Sequence, residues 1–504
     1  MPKPTPGSRM NNVTRRMLVL LTLIAMIGAG PASAQALKKR MGTRLGAPPV
    51  NRSLWGVVLM GPNGKQLYGQ NADKMFIPAS NTKLVVSSVA AALFPPDWTV
   101  RTSLYADGPI QDGVLQGDLI LYGRGDPTIS ARCYAVDTTA PGACDTDPFQ
   151  RLRDLAGQLR ARGIMTVEGD LIGDGSWFDG DLVNGDWEVY DLNWWYAAPV
   201  SGLGFNDNSI DFTYAPGPAV GAPATITFTP DFGTVAFENR TRTVPAGQST
   251  TIDFFREPGT LRVWAEGDVA LDSRGRNEYF ALPDPDLFTA WALRAVMADS
   301  GIAVLGTSRS TTDSTEFVAA RQGVALAEVT SRPVKDWIFP ILNTSQNWFA
   351  EMLLKQVGRQ FGGGGSWKEG LAAERRFLID SMKVDSLQFA LRDGSGLSSS
   401  NLVSPRAFAT LLAWMRAHPR FASFAAGLPQ SGQRGSLKSR FVGTPLEGKV
   451  HAKTGSISRV NTLSGYIEQP GRTLIFSVEA NNHSLGSRVM IPQIDSLVVQ
   501  MGKK

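Results

Sequence analysis

Histidine and cysteine are scarce in this chain, with three and two residues in 504. His418, His451 and His483 accompany no Gly-x-Ser-x-Gly elbow anywhere, which argues against acyl transfer by a Ser-His-Asp triad. Two cysteines without nearby histidines make a poor zinc site, and neither a metal nor a cofactor is expected. No block of lysine and arginine stands out in a formal charge of +5, so no nucleic-acid partner is expected. Gly443-Thr444-Pro445-Leu446-Glu447-Gly448-Lys449 approaches a phosphate-binding loop. Val450 stands where that loop needs a hydroxyl, and a strand-like run follows instead of a helix, so nucleotide binding is excluded. Gly123 to Pro127 reads as a turn, since no glycine completes a dinucleotide fingerprint. There is no repeat of fixed period, and past the N-terminus no apolar run is long enough to span a bilayer.

The N-terminus itself carries Lys3, Arg9, Arg15 and Arg16, an apolar run from Met17 to Ala29, and then Pro31-Ala32-Ser33-Ala34. A basic start, an apolar stretch too short to cross a membrane and an Ala-x-Ala end predict a secretory signal peptide over 1–34, cleaved after Ala34. The mature protein is expected in the periplasm, without a transmembrane segment. Cys133 and Cys144 close a short loop in a chain bound for an oxidising compartment, so a disulfide between them is expected.

The 43% hydrophobic content suits a globular protein with a substantial core, and 504 residues suggest two or three domains. Ser53 to Met60 and Lys65 to Gly69 flank Pro62-Asn63-Gly64 and read as a hairpin. It leads into Pro78-Ala79-Ser80-Asn81-Thr82-Lys83 and a run of apolar or small residues from Leu84 to Phe94. Such a run, apolar on every side, reads as a buried helix. Ser80 and Lys83 stand one turn apart on it, a nucleophile beside a lysine whose charge burial disfavours, so that Lys83 serves as base.

Between about Val100 and Leu305 the pattern is strand-like, Leu115 to Leu121 for example, with candidate helices at Pro148 to Arg162 and Asp284 to Ser300. Alternation such as Ala224-Thr225-Ile226-Thr227-Phe228-Thr229 suggests a small all-β module at about 209–275. Helices follow at Pro333 to Leu342, Asn347 to Phe361, Trp367 to Asp380 and Pro405 to Ala417. Three strands then run over Gly448 to Gly455, Asn461 to Ile467 and Thr473 to Asn481, before a closing helix from Arg488 to Met501. The expected layout is an α+β catalytic domain over 35–98 and 306–504, interrupted by a β-rich insertion over 99–305. The late strands are expected to complete the sheet begun near Ser53.

Ser-x-x-Lys alone is a weak signal in a chain this long. Ser345-Gln346-Asn347 opening a helix, and Lys453-Thr454-Gly455-Ser456 in a strand-like stretch, change that, because the three elements in this order form the active-site set of the serine enzymes that react with penicillin. With Gly125-Asp126-Pro127, Ala198-Pro199-Val200-Ser201, Asn206-Asp207-Asn208 and Asp393-Gly394-Ser395-Gly396-Leu397, the sequence resembles the D-alanyl-D-alanine carboxypeptidase/endopeptidase family, the class C low-molecular-mass penicillin-binding proteins. Gln346 departs from the Asp in the usual form of its motif.

The resemblance implies a penicillin-binding, serine β-lactamase-like fold with its insertion between the first and second motifs. It implies peptidoglycan stem peptides as substrates and β-lactam antibiotics as covalent inhibitors. Ser80 would form the acyl-enzyme and Lys83 would take its proton, while Ser345 relays a proton to the leaving amine. Asn347 would hold Lys83 and the substrate amide, and Lys453 with Thr454, Gly455 and Ser456 would bind the substrate's terminal carboxylate. The N–H groups of Ser80 and Ser456 would form an oxyanion hole, each donor worth about 3 kcal/mol of barrier. The Asp393 loop reads as structural, and His451 is a candidate for the cleft because it shares a strand face with Lys453. Two other readings compete. One is a β-lactamase or esterase of the same fold, although no Glu-x-x-Leu-Asn stretch supplies a class A deacylating glutamate. The other is a non-catalytic wall-binding module.

Overall fold

The computed structural model describes residues 31–130, 132–135, 144, 147–257 and 259–503; side chains are described from residue 35 onward. Most of the expected signal peptide lies outside these residues. Helix α1 (Pro31–Leu45) runs across the expected cleavage point. Among the described residues no helix is long and apolar enough to cross a membrane.

Strands β1 (Leu54–Met60) and β2 (Gln66–Gln70) form the expected hairpin, with Gly64 supplying the positive φ of its turn. Ser80 follows in a single 3₁₀ turn, Ala79–Thr82, continuous with α2 (Lys83–Leu93). From Lys83 to Ala91 every residue of α2 is buried, as its lack of a polar face requires.

The chain then leaves the catalytic unit. Strands β3 (Arg101–Asp107) and β4 (Asp118–Gly123) pair antiparallel. The expected run from Leu115 to Leu121 is broken at Gln116-Gly117. Gly117 lies so close to the Asp107 carbonyl that any side chain there would collide with the backbone. Helix α3 (Gln150–Ala161) and β5 (Leu171–Asp174) come next. The smaller β unit consists of β6 (Ser209–Ala215), β7 (Thr225–Thr229), β8 (Ala236–Val244), β9 (Asp253–Arg256), β10 (Arg262–Ala270) and β11 (Arg276–Ala281), in two sheets ordered β7-β6-β11 and β8-β10-β9. Its pairing ends at Ala281, beyond the expected 275, because β11 runs alongside β6. Helix α4 (Pro285–Asp299) is capped by Asp284, whose side chain accepts from the Leu287 N–H. Strands β12 (Ser308–Thr311) and β13 (Ala327–Thr330) close a sheet of order β12-β5-β4-β3-β13. The inserted sheet thus extends past the expected return at residue 305.

Helices α5 (Val334–Asn343), α6 (Asn347–Phe361), α7 (Trp367–Asp380), α8 (Pro405–Ala417) and α9 (Phe421–Gly427) follow. Ser366 and Ser404 cap α7 and α8 through the N–H groups three residues on. The chain ends with β14 (Val450–Ile457), β15 (Val460–Gln469), β16 (Arg472–Asn481) and α10 (Ser487–Gly502). Antiparallel pairing of Leu54 with Asn481 through Met60 with Ile475 seats β16 against β1 and gives the order β2-β1-β16-β15-β14. Apolar residues of α2, α5, α6 and α8 form the core on one face of this sheet. Leu37, Met41 and Leu45 of α1 join Met490, Ile494 and Leu497 of α10 on the other. Ser80 and Lys453 therefore share one sandwich despite their separation in sequence.

A disulfide joins Cys133 and Cys144, whose Cα atoms are 5.1 Å apart. The chain has no other cysteine, so titration in denaturant without reductant should detect no free thiol. Two thiols per chain would refute the bridge.

Candidate active site

Three segments distant in sequence meet at the N-terminal end of α2. Ala79, just before the serine, is held at φ 48°, a left-handed conformation that persists in a non-glycine residue only when the surroundings impose it. Two glycines let the surroundings close in. The backbone of β14 passes so near the serine turn that a Cβ on Gly455 would lie 2.7 Å from the Pro78 carbonyl and 3.1 Å from the Asn81 N–H. Gly396, at φ 80°, leaves no room for a Cβ beside the Ala79 carbonyl. Asn81 ties the turn down further, donating to Ser464 Oγ at 2.8 Å, and Thr462 Oγ1 donates to the Pro78 carbonyl at 2.9 Å.

Lys83 is fully buried, and its amine lies 3.0 Å from Ser80 Oγ. It donates to Asn347 Oδ1 and to the Ser395 carbonyl, each at 2.6 Å. Burial lowers its pKa to about 7, against an opposing pull from Glu351 and Asp393. A neutral amine has two N–H bonds and one lone pair. Asn347 Oδ1 and the Ser395 carbonyl are pure acceptors and take the two N–H bonds, which leaves the lone pair facing the Ser80 hydroxyl.

Ser345 occupies the short connection between α5 and α6 at φ 65°. Its Oγ accepts from Lys453 Nζ at 2.9 Å, and Lys453 also donates to the Thr454 carbonyl at 2.8 Å. Lys453 is fully buried, and burial first, then the nearby Lys83, pushes its pKa well below the usual lysine value. Thr454 Oγ1 donates to Ser436 Oγ at 2.8 Å, and Ser456 Oγ accepts from Asn461 Nδ2 at 3.0 Å at the exposed edge of β14. A cleft of about 510 Å³ opens over this group, lined among others by Ser80, Ser345, Asn347 and Ser456. Glu188, Asp191, Trp195 and Tyr196 of the insertion form part of its wall.

Of the sequence-predicted residues, Ser80, Ser345, Asn347 and Ser456 line one cleft, Lys83 and Lys453 are buried in contact with its serines, and Thr454 and Gly455 adjoin it on β14. His451 stays outside it, half-buried, with Nε2 3.9 Å from Glu468 Oε2. Gln346 is buried and points away from the cleft. Its side-chain carbonyl caps α6 through the Trp348 N–H, while its amide donates to Asp207 Oδ2 at 2.7 Å and Tyr134 Oη at 2.9 Å. A carboxylate there could not donate to Asp207, which accounts for Gln in place of Asp.

Three contributors were not named from the sequence. Tyr196 orients Asn347, whose Nδ2 donates to its carbonyl at 2.6 Å, but a backbone acceptor leaves no mark on residue type. The Ser395 carbonyl is hidden for the same reason. Glu351 carries a signal, a lone acid on the apolar face of α6, where a buried charge needs partners.

The chain matches the D-Ala-D-Ala carboxypeptidase 3 (S13) family over residues 37–501. It is 30% identical over 494 residues to the D-alanyl-D-alanine carboxypeptidase of Actinomadura sp. (strain R39), covering 93% of this chain and 87% of that one. It is 24% identical over 443 residues to the D-alanyl-D-alanine carboxypeptidase DacB of Haemophilus influenzae, covering 86% of each. The crystal structure of penicillin binding protein 4 (dacB) from Haemophilus influenzae shares the fold, with a TM-score of 0.78 at 22% identity over 92% of this chain and 99% of that one. That protein has also been solved in complex with a β-lactam, at a TM-score of 0.72. Because the match takes in the serine turn, the α5–α6 connection and β14 together with the insertion between them, the chain belongs to the D-Ala-D-Ala carboxypeptidase 3 (S13) family of serine peptidases.

Proposed function

We propose that Ser80 attacks the carbonyl of a D-alanyl-D-X bond in peptidoglycan stem peptides, forming an acyl-serine that water then hydrolyses. The observation that carries this reading is the Lys83 amine, stripped of solvent and held 3.0 Å from Ser80 Oγ with its two N–H bonds already taken. Lys83 takes the hydroxyl proton as the carbon–oxygen bond forms. As the carbon–nitrogen bond breaks, Ser345 gives its hydroxyl proton to the leaving amine and is reprotonated from the Lys83 ammonium, which returns Lys83 to its neutral form, while Lys453 holds Ser345 Oγ by donating to it. Backbone N–H groups of Ser80 and Ser456 stabilise the oxyanion. β-Lactams acylate the same serine. The N-terminal segment exports the chain to the periplasm, where stem peptides are found.

The deciding experiment is incubation with purified muropeptides and identification of the products by mass. Loss of a terminal D-alanine or separation of a cross-linked pair supports the reading, and the two outcomes distinguish carboxypeptidase from endopeptidase action. Intact muropeptides together with rapid hydrolysis of penicillin would replace it with a β-lactamase.

Lys453 gives a specificity test. A carboxylate arriving beside its amine favours the charged form, and charge-assisted hydrogen bonds are about twice as strong as neutral ones. Lys453→Met should therefore slow acylation by carboxylate-bearing substrates more than acylation by an analogue whose acid is capped. An unchanged ratio of the two rates would leave carboxylate binding to Thr454 and Ser456.

A further inference from the structure

Beneath the cleft lies a buried acid, Glu351, to which the mechanism gives no role. Glu351 is fully buried on α6, one turn beyond Asn347. Its Oε1 accepts from the Ser395 N–H at 2.7 Å, and its Oε2 from the Gly394 N–H at 2.9 Å and from Trp367 Nε1 at 2.8 Å. Asp393 folds the same loop upon itself, accepting from the N–H groups of Gly396 and Ser398, from Asn401 Nδ2 and from Trp187 Nε1. The outward side of this loop presents the Ser395 carbonyl to Lys83 Nζ.

We propose that Glu351 is a positioning residue for the reaction: its buried carboxylate clamps the Gly394–Ser395 backbone, so that the Ser395 carbonyl fixes the direction of the Lys83 amine. The inference rests on Lys83 being the base. α6 thereby controls that amine twice, directly through Asn347 Oδ1 and indirectly through Glu351 and the loop. If the clamp opens, one N–H of Lys83 loses its acceptor, the amine rotates, and its lone pair no longer faces Ser80. An acyclic hydrophobic side chain would fill the space but not grip the loop, because the Gly394 and Ser395 N–H groups each need an acceptor, here one carboxylate oxygen apiece.

The charge has a second consequence. The ionisable groups facing Lys83 are Lys453 on β14, Glu351 on α6 and Asp393 in the loop; those acting on Glu351 itself include Asp393, Glu374 of α7, Lys355 of α6 and Lys83. Burial, and then Asp393, raise the Glu351 pKa to about 7, so its charge is present on the alkaline side of that value, where it raises the proton affinity of Lys83 against burial.

Two variants separate these effects, with the rate of covalent labelling by a fluorescent penicillin measured across pH as the readout. Glu351→Gln loses the charge and sets an amide against three N–H donors. The plateau rate should fall at least tenfold, within the ~10²-fold that a displacement of about 1 Å can cost, and the acid limb should move to lower pH. Glu351→Asp keeps the charge but is one methylene short. Its limb should stay in place while its plateau falls by a similar factor, a separation that simple loss of packing does not produce. A wild-type plateau in Glu351→Asp, or a Glu351→Gln limb that does not move, overturns the proposal. Should Glu351→Gln fail to fold, the aspartate variant alone decides on the plateau. Absence of any limb near neutral pH in the wild type would instead remove Lys83 as the base.

Discussion

Ser80→Ala is expected to abolish covalent labelling by penicillin and cleavage of D-alanyl peptides together, by about 10⁶-fold, the loss that removal of a serine nucleophile brings. The hydroxyl lies in the cleft 3.0 Å from the buried Lys83 amine, whose lone pair is free to take its proton. Losing it removes one hydrogen bond from a half-buried position, which costs about 1 kcal/mol, so the variant should melt close to the wild type. Mass spectrometry of the protein after penicillin treatment is the direct check. A penicilloyl adduct in a folded Ser80→Ala variant would place the nucleophile elsewhere.

Lys83→Met separates catalysis from stability. Without a base, acylation should fall by 10²- to 10⁴-fold, the usual contribution of a positioned proton acceptor. In the wild type, acylation should rise with pH through about 7 as the folded Lys83 loses its proton, and the variant should lack this rise. Stability depends on the same titration and also rises with pH. Unfolded Lys83 keeps its proton up to its ordinary value of 10.5, whereas the folded residue releases it at about 7. Between these values the unfolded chain binds more protons, so this residue makes stability increase with pH across that window, and its full penalty applies below it. Methionine abolishes the penalty but leaves Asn347 Oδ1 and the Ser395 carbonyl without a donor, at a cost of about 1–3 kcal/mol each. Denaturant midpoints at pH 7 and pH 10 check the sign: relative to the wild type, the variant should be more stable at pH 7 than at pH 10. A relative stability independent of pH would mean that Lys83 titrates normally.

Fold and site were legible where local chemistry dictates local structure. α6 and α8 have the boundaries their spacing and caps predict, and the hairpin before Ser80 follows from Pro62-Asn63-Gly64. The late strands were recognised by their apolar runs, and a residue or two of pairing at each end was all that remained. What could not be read was set by distant partners. β12 and β13 look unremarkable in sequence and join the inserted sheet only because β5 and β3 offer open edges. α1 is stabilised by α10 from the far end of the chain, which a local pattern does not reveal. In the site, the motifs marked side chains that touch one another, while the backbone carbonyls of Tyr196 and Ser395 became visible only as acceptors in space.

The seating of β1 between β2 and β16 also fixes when the enzyme can become active. Leu54 pairs with Asn481, so the chain emerges with its nucleophile long before the strand that supports it exists. Contacts this remote in sequence form slowly, because the intervening chain must first be brought together at an entropic cost. The sheets of the insertion close among residues 101–330 and can assemble earlier. Ser80, Lys83 and Lys453 can meet only after the strands through Asn481 exist and dock, so the site assembles later than the sheets of the insertion.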